Sequence, residues 1–217
     1  MRLFAPTLLI ALGLAFPAPA SPADRPAVRS PAEDRPAAEL RPASAFTGIS
    51  DRRQRSIALF LEAGRVITDP RCVNCHPATR RPTQGLDQHP HIPAVTGGPD
   101  GHGVPGLGCG ACHQDRNTPV AGSEEIRSIP GNPKWALAPA GMAWEGRSLG
   151  QICVQLKDPA RNGGRTLGQI QAHMAHDRLV AWGWSPGAGR RPAPGSQQRL
   201  GELIQAWIDN GAACPDG

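Results

Sequence analysis

The chain has 217 residues, a formal charge of +5 at pH 7 and 39% hydrophobic residues, yet only 4% are aromatic, Tyr is absent, and there are 26 Gly and 24 Pro. The positive charge is spread without a block, so it describes a solvated surface and excludes a nucleic-acid face. So few large apolar side chains imply that something besides side chains helps to fill the core.

Met1-Arg2, an apolar run from Leu3 to Phe16 and Ala18-Pro19-Ala20 form the three-part pattern of a cleavable export signal over residues 1–20. The apolar run, about 14 residues, is shorter than the roughly 20 that span a bilayer. The expected location after cleavage is the periplasm, with no membrane insertion. Residues 21–45 are Pro, Ala, Arg and Glu with almost no large apolar side chain, which predicts a disordered linker. Residues 46–217 form the expected domain.

In that domain, Ser50 is the expected cap of a helix to about Thr68, with Ile57, Phe60, Leu61, Gly64 and Ile67 on its apolar face. Asp69-Pro70 stops it. The stretch from Pro77 to Leu107 lacks a period and reads as loop. Ser148 caps a short expected helix through Lys157, Thr166 caps one to about Asp177, and Ser196 caps one from Gln197 to Asn210. No alternating strand pattern of useful length is visible. The expected fold class is mainly α, a small loop-rich domain.

Two motifs punctuate these loops: Cys72-Val73-Asn74-Cys75-His76 and Cys109-Gly110-Ala111-Cys112-His113. Two thiols at this spacing add to the two vinyl groups of one haem, and the following His reaches the iron from the same side. Cys72, Cys75, Cys109 and Cys112 are thus the expected thioether residues of two haem c groups, and His76 and His113 the proximal ligands. Two porphyrins also supply the apolar bulk that the composition lacks. A four-thiolate zinc site and a redox-active Cys-x-x-Cys are the rivals. His after both motifs and the export signal weigh against each. Arg80-Arg81 and Arg190-Arg191 are candidate partners for haem propionates.

With four thiols assigned, Cys153 and Cys214 remain, an even number in an oxidising compartment, which predicts a disulfide between them. The distal candidates are His89, His91, His102, His173, His176 and Met142, with Met174 expected in the core. On the helix from Thr166, His173 lies at the edge of the apolar face, whereas His176 points further toward solvent. In His89-Pro90-His91-Ile92-Pro93, the prolines stiffen the segment, and His91 lies beside the more apolar stretch. Met142 is a third candidate because loop methionines ligate haem in cytochromes c.

The combination Cys-Val-Asn-Cys-His-Pro at 72–77, Pro-His at 90–91, Gly-Pro-Asp-Gly at 98–101, Cys-Gly-Ala-Cys-His-Gln at 109–114, Gln-Leu-Lys-Asp-Pro at 155–159, Asn-Gly-Gly-Arg-Thr-Leu at 162–167, Trp-Gly-Trp at 182–184 and Gly-Ala-Ala-Cys-Pro at 211–215 resembles a family of bacterial dihaem cytochrome c proteins, often labelled isoquinoline 1-oxidoreductase subunit. The resemblance covers about residues 55 to 215. It implies a cytochrome c-like helical domain around two haems and electron transfer with a redox partner, such as a molybdenum hydroxylase. It also implies His91 and His173 as ligands and a family Met at position 142. No residue here is expected to bind molybdopterin or an isoquinoline.

The leading expectation is therefore an electron carrier or redox subunit rather than an enzyme. The alternative is a small dihaem peroxidase-like enzyme with one open iron site. A redox subunit fixed permanently to a larger oxidoreductase fits the same residues as a free shuttle does.

Overall fold

A computed structural model describes residues 38–122 and 128–216. The expected export signal at 1–20 and the linker as far as residue 37 lie outside the described residues. The chain is already packed from residue 38. Leu40 is buried against Gly195, and Ala43–Phe46 forms a turn of 3-10 helix with Phe46 buried. The packed body thus includes the last residues of the segment expected to be linker.

The first helix, α1, spans Arg52–Ile67 and is capped by Asp51 rather than Ser50, because the Asp51 carboxylate accepts the Gln54 N–H at 2.7 Å. Its buried face is Leu59, Phe60, Ala63, Val66 and Ile67, while Leu61, expected inward, is 46% exposed. A single helical turn, α2 (Pro70–Val73), follows directly. Asp69 caps it through the Arg71 N–H, and Pro70 takes the first-turn position that needs no donor. Sequence reading treated Asp69-Pro70 as a stop; it is a stop and a restart.

Helix α3 (Leu149–Lys157) and helix α4 (Leu167–His176) both begin with complete capping boxes, Ser148 with Gln151 and Thr166 with Gln169. A short α5 (Arg178–Ala181) leads into a 3-10 turn at Trp182–Trp184, and α6 (Gln197–Asp209) closes the body with Ser196 as its cap. The α6 stripe of Leu200, Leu203, Ile204 and Trp207 is buried as expected. Trp207 meets Phe60 of α1 at 5.0 Å between ring centroids. On the other side α6 approaches α4 so closely that a Cβ on Gly201 would sit 2.4 Å from the Ala175 Cβ. The fold is mainly helical, and among the described residues no helix is long and apolar enough to cross a membrane.

Strand pairing among the described residues is limited to three antiparallel pairs of two residues each, in keeping with the lack of an alternating pattern of useful length. β1 (Thr83–Gln84) pairs with β2 (His89–Pro90), β3 (Gly103–Val104) with β4 (Leu107–Gly108), and β5 (Thr118–Pro119) with β6 (Ser128–Ile129). They are too short to show alternation, yet they fix the loops that carry the histidines.

Cys153 on α3 and Cys214 after α6 form a disulfide across 61 residues of sequence, as expected. Closing a loop of that length restricts the unfolded chain. Cys153→Ala with Cys214→Ala is expected to lower stability by about 2–4 kcal/mol, measured as a shift in denaturant midpoint that dithiothreitol reproduces in the unaltered chain.

Glu62, 5% exposed, accepts the Arg41 N–H at 3.1 Å and the guanidinium groups of Arg41 at 3.0 Å and Arg65 at 2.7 Å. Burial pushes its carboxyl up, but these hydrogen bonds and the Arg65 charge outweigh it and leave the carboxyl below its ordinary value. A lowered folded value stabilises above the unfolded pKa and is lost as pH falls through the folded one. Glu62→Gln is expected to cost about 1–3 kcal/mol near neutrality. That difference should begin to shrink near pH ~4.3 and vanish at lower pH, as read from denaturation curves across the acid range.

Candidate functional site

The first motif is held by the end of α1 and by α2. Its backbone is then clasped from above by the segment 138–145: Ala138 N–H donates to the Cys75 carbonyl at 3.0 Å, and Trp144 N–H to the His76 carbonyl at 2.8 Å. The His76 ring is fixed at both ends of its motion. Nδ1–H donates to the Met142 carbonyl at 2.7 Å, and the Trp144 indole lies parallel to the imidazole, 8° between planes and 3.5 Å between centroids. Because a carbonyl can only accept, Nδ1 carries the proton and Nε2 is the free lone pair. Burial, only partly offset by the Met142 carbonyl and reinforced by His173, pulls the His76 pKa down to about 4, so the ring is neutral at pH 7.

His76 faces a cavity of about 470 Å³. Cys72, Cys75 and His76 line it on one side, and α4 contributes Ile170, His173 and Met174. Arg71, Lys134 and Arg165 also line it, as does Trp144, whose Nε1 is buried with no hydrogen-bond partner among the described residues. His173 Nδ1 sits 3.3 Å from the Asp177 carboxylate one turn along α4, and burial outweighs that carboxylate to lower the His173 pKa. Burial pushes the Cys75 thiol up to about 11 and the Cys72 thiol higher still, so both are neutral thiols at pH 7.

The second motif repeats the arrangement with other partners. The β3–β4 hairpin leads into a 3-10 turn at Cys109–Ala111, which places Cys109, Cys112 and His113. His113 Nδ1–H donates to the Pro130 carbonyl at 2.7 Å, and Trp135 stacks on the imidazole at 9° and 4.5 Å. Burial lowers the His113 pKa despite the carbonyl. The β5–β6 pair and Asn117 set the acceptor. Asn117 Oδ1 accepts from both Gly131 N–H at 3.0 Å and Trp182 Nε1–H at 2.9 Å. His91, in the loop after β2, lies with its ring centroid 5.9 Å from that of His113 at 58°, its own Nδ1–H donating to the Pro93 carbonyl at 2.9 Å. This site is the more open of the two: Cys112 is exposed, and Cys109 is half-buried.

Of the other candidates, His102, Met142 and Met174 also line the cavity that His76 faces, and His89 and His176 lie away from it. His89 bonds the exposed Asp87 carboxylate, and His176 is exposed and lines the groove between α4 and α6. His102 is exposed at the rim of the cavity. Met142 is buried and presents its carbonyl behind His76, while Met174 is in the core as expected. Of the four arginines expected near propionates, three have protein partners. Arg190 bonds Ser128, Arg191 bonds Asp69 at 2.8 Å, and Arg80 bonds the Gly98 and Ala138 carbonyls. Among these four, the Arg80 Nη2 is buried with no hydrogen-bond partner among the described residues. The cations at the cavity are Arg71, Lys134 and Arg165, which sequence reading did not single out.

The residues fit the cofactor that the motifs imply. A cavity of about 470 Å³ lies within the roughly 300–1,000 Å³ range of cofactor pockets. It offers two thiols, the imidazoles of His76 and His173, an indole N–H without a partner among the described residues and three cations suited to carboxylates. At the second site the His91 and His113 imidazoles lie 5.9 Å apart, a separation at which both would be able to hold one metal ion. The zinc arrangement fits less well, since among the described residues no group of three or more His, Cys, Asp or Glu converges to hold an ion.

No protein-family model matches the chain, and no curated protein or solved structure matches it.

Gly131 is the point at which the second site is most exposed to perturbation. A Cβ there would lie 2.0 Å from the Arg116 carbonyl oxygen, so the segments flanking β5 and β6 that carry Asn117 and Pro130 would have to part. Gly131→Ala is expected to destabilise by about 1–3 kcal/mol. It should also remove the hydrogen-bonded Nδ1–H resonance of His113 from the NMR spectrum while leaving that of His76 in place.

Proposed function

We propose that this chain is an exported electron-transfer protein carrying two covalently attached c-type haems in a cytochrome c-like helical domain. The observation that supports this most directly is the repeated treatment of the motif histidine. At both motifs Nδ1–H is held by a main-chain carbonyl and a tryptophan lies flat on the ring, leaving Nε2 aimed outward. Metal-bound histidines are oriented in this way by their outer partners.

On this reading Cys72, Cys75, Cys109 and Cys112 anchor the groups by thioether bonds, and His76 and His113 are the proximal ligands. His173 and His91 take the distal positions, each with its Nδ1 already engaged. Bound haem iron supplies the one-electron ferric and ferrous couple. The protein's part is orientation, burial and charge. Ile170, Met174 and Leu156 exclude water at the first site, and Arg71, Lys134 and Arg165 balance carboxylates there. Two imidazoles per iron leave no coordination position for a substrate, which favours a carrier over a peroxidase-like enzyme. The partner on this reading is another redox protein. The family resemblance adds a molybdenum hydroxylase as the partner to test, and the export-like sequence of residues 1–20 supports an exchange in the periplasm.

The pyridine haemochrome assay on the exported chain should give two haems per polypeptide. Cys72→Ala with Cys75→Ala should give one, and so should Cys109→Ala with Cys112→Ala. The ferrous protein should ignore carbon monoxide, while His173→Ala and His91→Ala should each open one iron to it. Fewer than two haems in the unaltered chain, or rapid carbon monoxide binding by it, would overturn the proposal.

A further inference from the structure

Trp135 belongs to both sites at once. One face of its indole lies parallel to the His113 imidazole at 4.5 Å, and its ring meets Trp182 edge-on at 5.3 Å and 88°. Trp135 and Trp182 both line the cavity that His76 faces. The indole is therefore the wall between the first site and the second. Trp182 is itself pinned through Asn117, which also holds Gly131 beside the His113 acceptor, so partition and ligand share one hydrogen-bonded frame.

The two sites differ in access. Gly110, Ala111 and Cys112 of the second motif are exposed, whereas Val73 in the first is buried and the cavity before His76 is bordered by α1, α4 and the 133–144 segment. A partner protein approaching from solvent reaches the second motif first.

We propose that Trp135 couples the two redox sites: electrons exchanged with a partner at the open His113 site pass to and from the buried His76 site across this indole. The inference rests on the proposed haem function. One electron leaves a ferrous iron and reduces a ferric one; no bond forms or breaks, and the indole is not oxidised. A tightly packed aromatic partition shortens the gap between the sites that vacuum or water would otherwise occupy, and electron exchange falls steeply as such a gap widens. Because burial differs between the sites, the two reduction potentials should differ enough to follow each haem separately.

The test uses the full-length haem-loaded protein with Trp135→Leu and Trp135→Phe. Haem content, low-spin spectra and the two midpoint potentials are measured first, then the rate at which the haems equilibrate after sub-stoichiometric photoreduction by ruthenium tris-bipyridyl. The expected result is two haems per chain, with the measured potentials of each variant used to correct for driving force, and equilibration slowed severalfold beyond that correction in Trp135→Phe and further in Trp135→Leu. If Trp135→Leu loses the second haem, Trp135→Phe decides by the same readout. Unaltered equilibration in a variant that keeps both haems would overturn the coupling role and leave the haem assignment standing. Fewer than two haems in the unaltered protein would overturn the assignment itself.

Discussion

Two hydrogen bonds, His76 Nδ1–H to the Met142 carbonyl and His113 Nδ1–H to the Pro130 carbonyl, tie both motifs to one stretch of chain. The same stretch, residues 130–144, supplies the two stacked indoles, Trp135 and Trp144. It has almost no regular secondary structure, only a 3-10 turn at Ala140–Met142. Its order comes from what it touches. Gly131 must lack a side chain to pass Arg116, Leu137 N–H bonds the Gly101 carbonyl, and Ala138 N–H bonds that of Cys75. The helices form a scaffold around Phe60, Trp207, Leu203 and Ile204, the strap adds Met142 and Trp144 to that same core, and it orients the histidines beside it.

The strap also explains why the two sites are alike locally and unlike in depth. Each imidazole is given a carbonyl and an indole, which fixes its tautomer and plane. At the first motif the other wall is α4, so the ring faces a cavity lined by its side chains. At the second the opposing residue is His91, held on the loop after β2, whose neighbour Ile92 is 73% exposed. The same local arrangement of carbonyl, imidazole and indole is thereby set at two different depths.

The helices were legible in the sequence because their signals are local. Ser148, Thr166 and Ser196 cap the helices they were expected to cap, and counting cysteines led to the Cys153–Cys214 bridge. Ser50 and Asp51 are adjacent and equally suited to capping, so the choice between them turned on geometry that composition does not carry. The six strands escaped notice because two residues cannot show alternation. The two Cys-x-x-Cys-His motifs were legible as a spacing, but the acceptors of their histidines were not: every residue type has a main-chain carbonyl, so Pro130 and Met142 leave no sequence signature. The arginines show the same limit. Arg80, Arg190 and Arg191 looked free as adjacent pairs, yet long-range carbonyls, a serine and Asp69 claim them, while Arg71 and Arg165 reach the cavity.

The strap follows both motifs in the chain, and this sets an order of events. A polypeptide that emerges N-terminus first presents Cys72 to His76, and then Cys109 to His113, before any of residues 130–144 has appeared. The motifs are therefore present while their carbonyl and indole partners are still to come. The last part of the body, α6 and the Cys214 bridge to α3, arrives only after the strap. Linear order along the gene thus separates a stage in which the motif histidines lack their orienting partners from one in which both have them.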